Sequence, residues 1–344
     1  MHADQRLDAL HTWLRQDVRI TNYTLATASA DASFRRYFRL EVAGQTRIVM
    51  DAPPDKEDIG PYLKVTALLA TCRVHVPAVF AVDRTRGFVL LEDLGHTHYL
   101  TRLTEGAAPD PLYAAALDSL LQIQTRGREA MRELEPYDAA VLEREMALMP
   151  EWFCIRHLQL DLTSEERELL ASSFALLTRE ALAQPLVFVH RDYHSRNLMV
   201  LPKEGPGIID FQDALRGPVG YDLVSILKDC YITWPRAQVE QWLATYRERL
   251  LAADGASLAG STFSEFLRWF DAIGLQRHIK VLGIFARLNW RDGKPGYLDD
   301  LPRTLDYVRE AAALFPELRA FQAFLEQRVV PALPAANARA RGSA

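Results

Sequence analysis

The chain has 344 residues, with 40 Lys plus Arg against 45 Asp plus Glu and a formal net charge of −5. That length allows two lobes around a cleft, and with no basic block in the sequence a nucleic-acid or anionic-membrane partner is not expected. No apolar run approaches the ~20 residues that cross a bilayer, and the scattered Cys72, Cys154 and Cys230, without a CxxC pair, point to a reducing cytoplasm.

The opening "MHADQRLDALHTWLRQDV" reads as an amphipathic helix rather than a signal peptide, because no uninterrupted apolar core follows the Met. "ATASADAS" reads as a turn of small residues. "SFRRYFRLEV" alternates apolar and polar residues and, across "AG", meets "QTRIVMDAP", the pattern of a hairpin. "GPYLKVTALLATCR" predicts a helix with Pro61 near its start. "VPAVFAVDRTRGFVLLEDLG" predicts a second strand pair, turning near Arg86–Gly87.

From about residue 107 the pattern becomes helical, with apolar residues three and four apart. "DPLYAAALDSLLQIQTR" is expected to start on an Asp cap. "YDAAVLEREMALMPEWFCIRH" reads as one helix. "TSEERELLASSFALLTREALAQ" carries a capping box of Thr163 and Glu166. Residues 187–214, "VFVHRDYHSRNLMVLPKEGPGIIDFQDA", interrupt the helices with two short strands. More helices follow, "YDLVSILKDCYI", "RAQVEQWLATYRERLLAA", "FSEFLRWFDAIGLQRHIKVLGIFARLNW" and "LPRTLDYVREAAALF". The tail "PALPAANARARGSA" is expected to fray.

Phosphoryl transfer needs a carboxylate to orient the attacking hydroxyl and hard oxygen ligands to hold Mg²⁺ on the phosphates. "HRDYHSRN" has the catalytic-loop pattern H-R-D-x-x-x-x-N, with Asp192 as the base and Asn197 as a metal ligand. Asp210, thirteen residues after Asn197 at the end of "GIID", would be the second ligand, returned to the same cleft wall by a short hairpin. The plainer reading is that Asp192 and Asn197 cap turns and Asp210 ends a strand. His190 and Arg191 are expected to brace the loop. His194 is either loop or cleft lining.

On these residues the chain resembles the aminoglycoside phosphotransferase family over roughly residues 25–300. "IIDFQDA" is similar to that family's second metal motif and departs from the Asp-Phe-Gly of protein kinases. The resemblance implies an α+β, protein-kinase-like two-lobed fold, a small antiparallel-sheet N-lobe and a larger helical C-lobe, with ATP and Mg²⁺ as cofactors. The expected layout is residues 1–94 as the nucleotide-binding lobe ending in a hinge, 95–330 as the helical lobe with the substrate site, and 331–344 as a flexible tail, in a monomer. "FVLLEDLG" would hold adenine at Glu92, Asp93 and Leu94. Asp222, in "GPVGYDLVSIL", would be structural, read as a helix cap.

The N-lobe departs from the kinase pattern twice. Its first turn lacks glycine, and Met50 or Asp51 stands where a phosphate-binding Lys is expected. A cation should replace that Lys, with Arg35, Arg36, Arg47 and Lys64 as candidates. Arg36, sharing a strand face with Phe34 and Phe38, is assigned to the nucleotide; the alternative for each of the four is a plain surface salt bridge.

The acceptor is read from "LQRHIKVLGIFARLNWRDGK", which offers Arg277, His278, Lys280, Arg287 and Arg291. A polycationic substrate would want carboxylates, whereas a basic wall suits a neutral or carboxylate-bearing sugar. Arg277, Lys280, Arg216 and Asp213 are the candidate substrate residues; the alternatives are a solvated basic face and a turn cap. Trp152, Phe153 and Trp290 either stack on a sugar or pack in the core. "DASFRRYFRL", "VMDAPP", "FVLLEDLG", "FQDALRGPVGYDL" and "QRHIKVLGIFARL" together resemble the anomeric N-acetylmuramate/N-acetylglucosamine kinases, which implies phosphorylation of a C1 hydroxyl in cell-wall recycling. The rivals are a kinase for choline, homoserine or an aminoglycoside, and a nucleotide-binding pseudokinase, which the missing Gly-rich loop and Lys would favour.

Overall fold

Alternation along the N-terminal strands builds a sheet with two differently used faces. The computed structural model describes residues 5–30, 34–202, 205–254, 258 and 260–342. Strands β1 (Thr24–Ala30), β2 (Arg36–Val42), β3 (Gln45–Asp51), β4 (Val79–Asp83) and β5 (Phe88–Glu92) form one antiparallel sheet in the order β1-β2-β3-β5-β4. Ala43 and Gly44, at φ 50° and 74°, make the β2–β3 turn, the left-handed pair that a tight hairpin requires. Helix α1 (Gln5–Gln16) packs Leu10, Trp13 and Leu14 on Leu40, Val49, Phe88 and Leu90. The alternate residues Met50, Val89 and Leu91 belong to the main core, with α2 (Gly60–Thr71). Period-two alternation thus sends one strand into two cores.

The helical remainder comprises α3 (Tyr99–Thr104), α4 (Pro109–Arg126), α5 (Ala139–Met146), α6 (Ser164–Leu182), α7 (Tyr221–Leu227), α8 (Arg236–Ala253), α9 (Phe263–Asp292), α10 (Leu301–Ala313), α11 (Arg319–Phe324) and α12 (Val330–Gly342). Two ribbons interrupt it. Strand β6 (Leu186–Val189) pairs with β9 (Leu215–Pro218), and β7 (Leu198–Val200) pairs with β8 (Pro206–Ile208). The 30-residue α9 starts on a capping box of Thr262 and Glu265. It is buried on every side from Phe270 to Gly283, so it is the post around which the other helices stand.

The structure corrects four local expectations. "ATASADAS" is strand through Ala30, and its residues 31–33 lie outside the described residues. The long helix expected over "YDAAVLEREMALMPEWFCIRH" is α5 followed by a π-helical segment, Met149–His157, with Pro150 at its start; Pro150 has no N–H to continue the α ladder. Helix α4 begins at Pro109, so Asp110 lies inside its first turn, where its carboxylate accepts the Trp242 Nε1–H at 3.0 Å. The tail is not frayed through Gly342. Its alanines favour helix, and Leu333, Ala336 and Ala340 bury one side of α12. Asn337 is buried too and accepts the His157 Nε2–H at 2.8 Å. No helix among the described residues is long and apolar enough to cross a membrane, and all three cysteines are buried and free.

Gly283 is where α9 touches the chain leading into the π-helical segment. A Cβ there would lie 2.4 Å from the Leu148 carbonyl carbon. Gly283→Ala is therefore expected to destabilise the fold by about 1–3 kcal/mol, the usual penalty of overpacking. Thermal unfolding checks this, and an unchanged midpoint would mean that α9 and Leu148 separate without cost.

Candidate active site

Strand β6 delivers the chain to His190, and the next residue, Arg191, adopts φ 77°. Asp222, buried in the first turn of α7, fixes this turn by accepting the N–H of His190 at 2.7 Å and of Arg191 at 3.0 Å. Asp222 is structural as expected but caps no helix, since α7 starts after Gly220. Asp229, just past α7, accepts the N–H and Oγ–H of Ser195 and the N–H of Tyr231. Two buried carboxylates therefore grip the loop.

The three residues predicted to carry the chemistry come together on this loop. Asn197 Nδ2 donates to the Asp192 carbonyl at 3.0 Å and to Asp210 Oδ2 at 3.2 Å. Asp210, at φ 63°, accepts Gln212 Nε2 on its other oxygen at 2.9 Å. The Ile209 N–H donates to the Asn197 carbonyl at 3.1 Å, tying the ribbon to the loop. His190 is the brace expected. Its Nδ1 accepts the Asp192 N–H at 3.2 Å, which requires that nitrogen to be unprotonated, and burial pushes its pKa down to about 4. His194 packs edge-on against Tyr231 at 5.5 Å.

Burial alone would raise the Asp192 pKa, but the charges of Lys280, His194, Arg191 and Arg277 together hold it below the usual carboxylate value. Lys280 and Arg277, on α9, are buried. Lys280 Nζ lies 2.8 Å from Glu145 Oε1 and 3.1 Å from Tyr221 Oη. Arg277 Nη1 lies 3.6 Å from Cys230 Sγ. Glu145 also pairs with Arg191 and accepts the Tyr137 hydroxyl. Burial would raise its pKa too, and Lys280 and Arg191 pull it below the ordinary value. Sequence reasoning passed over Glu145, although its three- and four-residue spacing from the buried Leu142 and Met149 marked it as an acid on an apolar face.

A cleft of about 350 Å³ adjoins this wall, lined by Tyr37, Ile48, Tyr62, Leu91, Glu92, Asp93, Leu94, Met199, Asn197 and Asp210 among others. The predicted hinge is thus beside the predicted metal ligands. The hinge acids turn their side chains to structure. Glu92 accepts His75 Nε2 at 2.9 Å and the Ala78 N–H at 3.1 Å. Asp93 takes Arg39 Nε at 2.6 Å and Nη2 at 3.0 Å. The Glu92 N–H goes to the Ala78 carbonyl at 2.8 Å, and the rest of the main chain of residues 92–94 adjoins the cleft.

Other predicted residues lie elsewhere. Arg36 is on the α1 side of the sheet, where its Nε meets Asp51 at 2.9 Å; Asp51 is fully buried and also pairs with Arg6. Arg36 does share the face of Phe38, but that face is not the cleft. Lys64 donates to the Glu133 carbonyl at 2.5 Å, and Arg47 sits over Phe80. Asp213 is exposed, and Arg216 sits on β9 with its N–H on the Glu135 carbonyl; neither lines the cleft. Phe153 is core, while Trp290 is 41% exposed and donates to His157 Nδ1 at 3.2 Å.

Residues 24–260 match the model of a family described as the phosphotransferase enzyme family. The chain is 45% identical over 328 residues to the N-acetylmuramate/N-acetylglucosamine kinase of Pseudomonas aeruginosa, which covers 92% of this chain and 95% of that one. It is 43% identical over 329 residues to the kinase of the same name from Neisseria meningitidis serogroup B, covering 94% and 96%. Among solved structures, the ADP-bound aminoglycoside phosphotransferase APH(2'')-Ib superposes with a TM-score of 0.55 at 15% identity, covering 90% of this chain and 99% of that one. That likeness is one of fold.

Stranding one member of the Glu145–Lys280 pair should be costly. Glu145→Gln, which leaves Lys280 and Arg191 buried without their shared anion, is expected to destabilise the protein by about 3–5 kcal/mol, and adding Lys280→Met should restore part of the loss, read by denaturant unfolding of the double-mutant cycle. Because the folded-state pKa of Glu145 is depressed, its contribution is complete above the unfolded value of about 4.3 and is lost as pH falls through the folded value. The stability gap between wild type and Glu145→Gln should therefore close on acidification and not on alkalinisation.

Proposed function

The chain belongs to the phosphotransferase enzyme family, and from that membership we propose that it transfers the γ-phosphoryl group of ATP to the anomeric C1 hydroxyl of N-acetylmuramate or N-acetylglucosamine. Its setting on this reading is cytoplasmic recycling of cell-wall sugars. The observation that carries the phosphoryl-transfer chemistry is the joining of Asp192, Asn197 and Asp210 through the Asn197 amide beside the hinge cleft. The full-length likeness to kinases of that name supports the sugar. The ADP in a protein of the same fold supports the nucleotide.

Each residue has a role under this proposal. The main chain of Glu92 to Leu94 receives adenine between residues 1–94 and 95–330, which act as two lobes. Asp192 orients the sugar hydroxyl and takes its proton as the phosphoryl group leaves ATP. An anomeric hydroxyl is more acidic than an ordinary alcohol, so a carboxylate kept ionised by its cationic neighbours is a sufficient base. The sugar would lie on the α9 side of Asp192, where Arg277 and Lys280 favour a neutral or carboxylate-bearing acceptor over a polycation.

Asn197 and Asp210 fit a bound Mg²⁺. They offer hard oxygens, and the Asp210 side chain is 38% exposed. Among the described residues no three or more His, Cys, Asp or Glu side chains gather into a metal cage. A metal that takes one or two protein oxygens and completes its shell with water and phosphate is the habit of Mg²⁺. When bound, it would neutralise phosphate charge.

A pseudokinase reading draws support from Met50 and the engaged Asp51 at the lysine position. ADP release separates the two. With ATP and Mg²⁺, turnover is expected on N-acetylmuramate and N-acetylglucosamine, with phosphorus NMR locating phosphate at C1. Turnover confined to choline, homoserine or kanamycin would overturn the sugar, and silence across that panel would favour the pseudokinase. Asp192→Asn is expected to keep the melting temperature and ATP affinity and to lose about 10²–10⁴ in rate, the span of general-base contributions.

A further inference from the structure

A chain that binds a triphosphate without the strand lysine needs another cation facing the phosphates. Met50 is buried, and the Asp51 carboxylate is engaged by Arg6 and Arg36 on the α1 side of the sheet. Alternation along β2 decides which arginines can face the cleft. Tyr37 and Arg39 line it, and Arg35 stands two residues ahead of Tyr37, just before β2 begins at Arg36. Arg36 and Phe38 form the opposite row.

Within the cleft row Arg39 is committed to the hinge, through Asp93, the Gly95 carbonyl at 2.9 Å and His96 Nδ1 at 2.8 Å. Arg196, in the catalytic loop, lies flat over Tyr231 at 3.7 Å from the ring centre. Arg35 stands beside Asp210 at the cleft. Its Nη2 is 4.0 Å from Asp210 Oδ1, and its side chain is only 11% exposed. A cation from the residue just before β2 therefore already stands at the carboxylate around which the phosphates would gather.

We propose that Arg35 is the phosphate-binding cation of this protein, supplied from the mouth of the β1–β2 hairpin in place of a lysine on β3. The inference rests on the ATP-dependent kinase reading and adds a residue to it. Without nucleotide, Arg35 and Asp210 partly neutralise one another. A triphosphate offers the guanidinium a denser anion, with the planar donor fork that suits phosphate oxygens, and leaves Asp210 to a metal. The substitution also changes geometry. A lysine would extend from the middle of the sheet, whereas Arg35 approaches from the front of the cleft.

Isothermal calorimetry with AMP, ADP and ATP, each with Mg²⁺, tests this without relying on turnover. Arg35→Ala is expected to weaken ATP binding at least about tenfold, the worth of one charge-assisted hydrogen bond, while AMP changes less than about twofold. Arg35→Gln, which keeps length and polarity, should behave as Arg35→Ala, and Arg35→Lys should recover part of the ATP affinity. Arg36→Ala should lower the melting temperature and leave the ATP-to-AMP ratio as in wild type. An unchanged ratio in Arg35→Ala and Arg35→Gln, or an equal loss for AMP and ATP, overturns the proposal. A wild-type chain that binds no adenine nucleotide overturns the kinase reading and this inference with it; a wild type that binds ATP beside variants of unchanged ratio overturns this inference alone.

Discussion

Arg191 holds a left-handed backbone conformation that costs a non-glycine residue about 1–3 kcal/mol, and the buried Asp222 carboxylate offsets that cost by taking two consecutive N–H groups. The direction of Asp192 follows from this turn. Seven residues on, Asp229 performs the same service for Ser195, so the short α7 carries a clamp at each end of the loop. Burial pushes the Asp222 pKa up to about 7, against the two N–H donors that favour its charged form. The two donors favour the ionised carboxylate against burial, which couples the shape of the loop to the charge beneath it.

The charges around Asp192 form a second layer with its own logic. Lys280 and Arg191 both lean on Glu145, so two cations share one buried anion and the excess is positive. Arg277 adds to that excess with only a thiol contact at 3.6 Å. This arrangement favours the ionised base. It also makes the acceptor side of the loop a poor place for a polycation, although the fold is that of an aminoglycoside phosphotransferase. On the proposed reading fold and acceptor are separable, because side chains on α5 and α9 rather than the loop would select the acceptor.

The sequence was most legible where chemistry is local. "HRDYHSRN" and "IIDF" lie on adjoining segments, and the short β7–β8 ribbon is enough to join their side chains. It was least legible where a contact depends on a distant element. Alternation put Arg36 with Phe38 correctly, but only the docking of α1 on Leu40, Val49 and Phe88 decides that this row faces away from the cleft. Glu145 and Asp229 act on the loop from 46 and 34 residues away, beyond any spacing rule. The tail was misread because its prolines mark a loop in isolation, while its alanines favour helix and Leu333, Ala336 and Ala340 make a helix face once there is a surface to bury them on.

The cleft is stitched along its back. The Glu92 carboxylate holds His75, the His75 carbonyl takes the Ile208 N–H at 2.8 Å, and the Ile209 N–H goes on to Asn197. The Thr97 carbonyl takes the Val200 N–H at 2.8 Å on the other strand of the ribbon. Hinge, ribbon and catalytic loop are therefore one hydrogen-bonded path, joined to the hinge by the Glu92–His75 side-chain bond. Across the cleft, outside that path, Arg35 Nη2 stands 4.0 Å from Asp210 Oδ1.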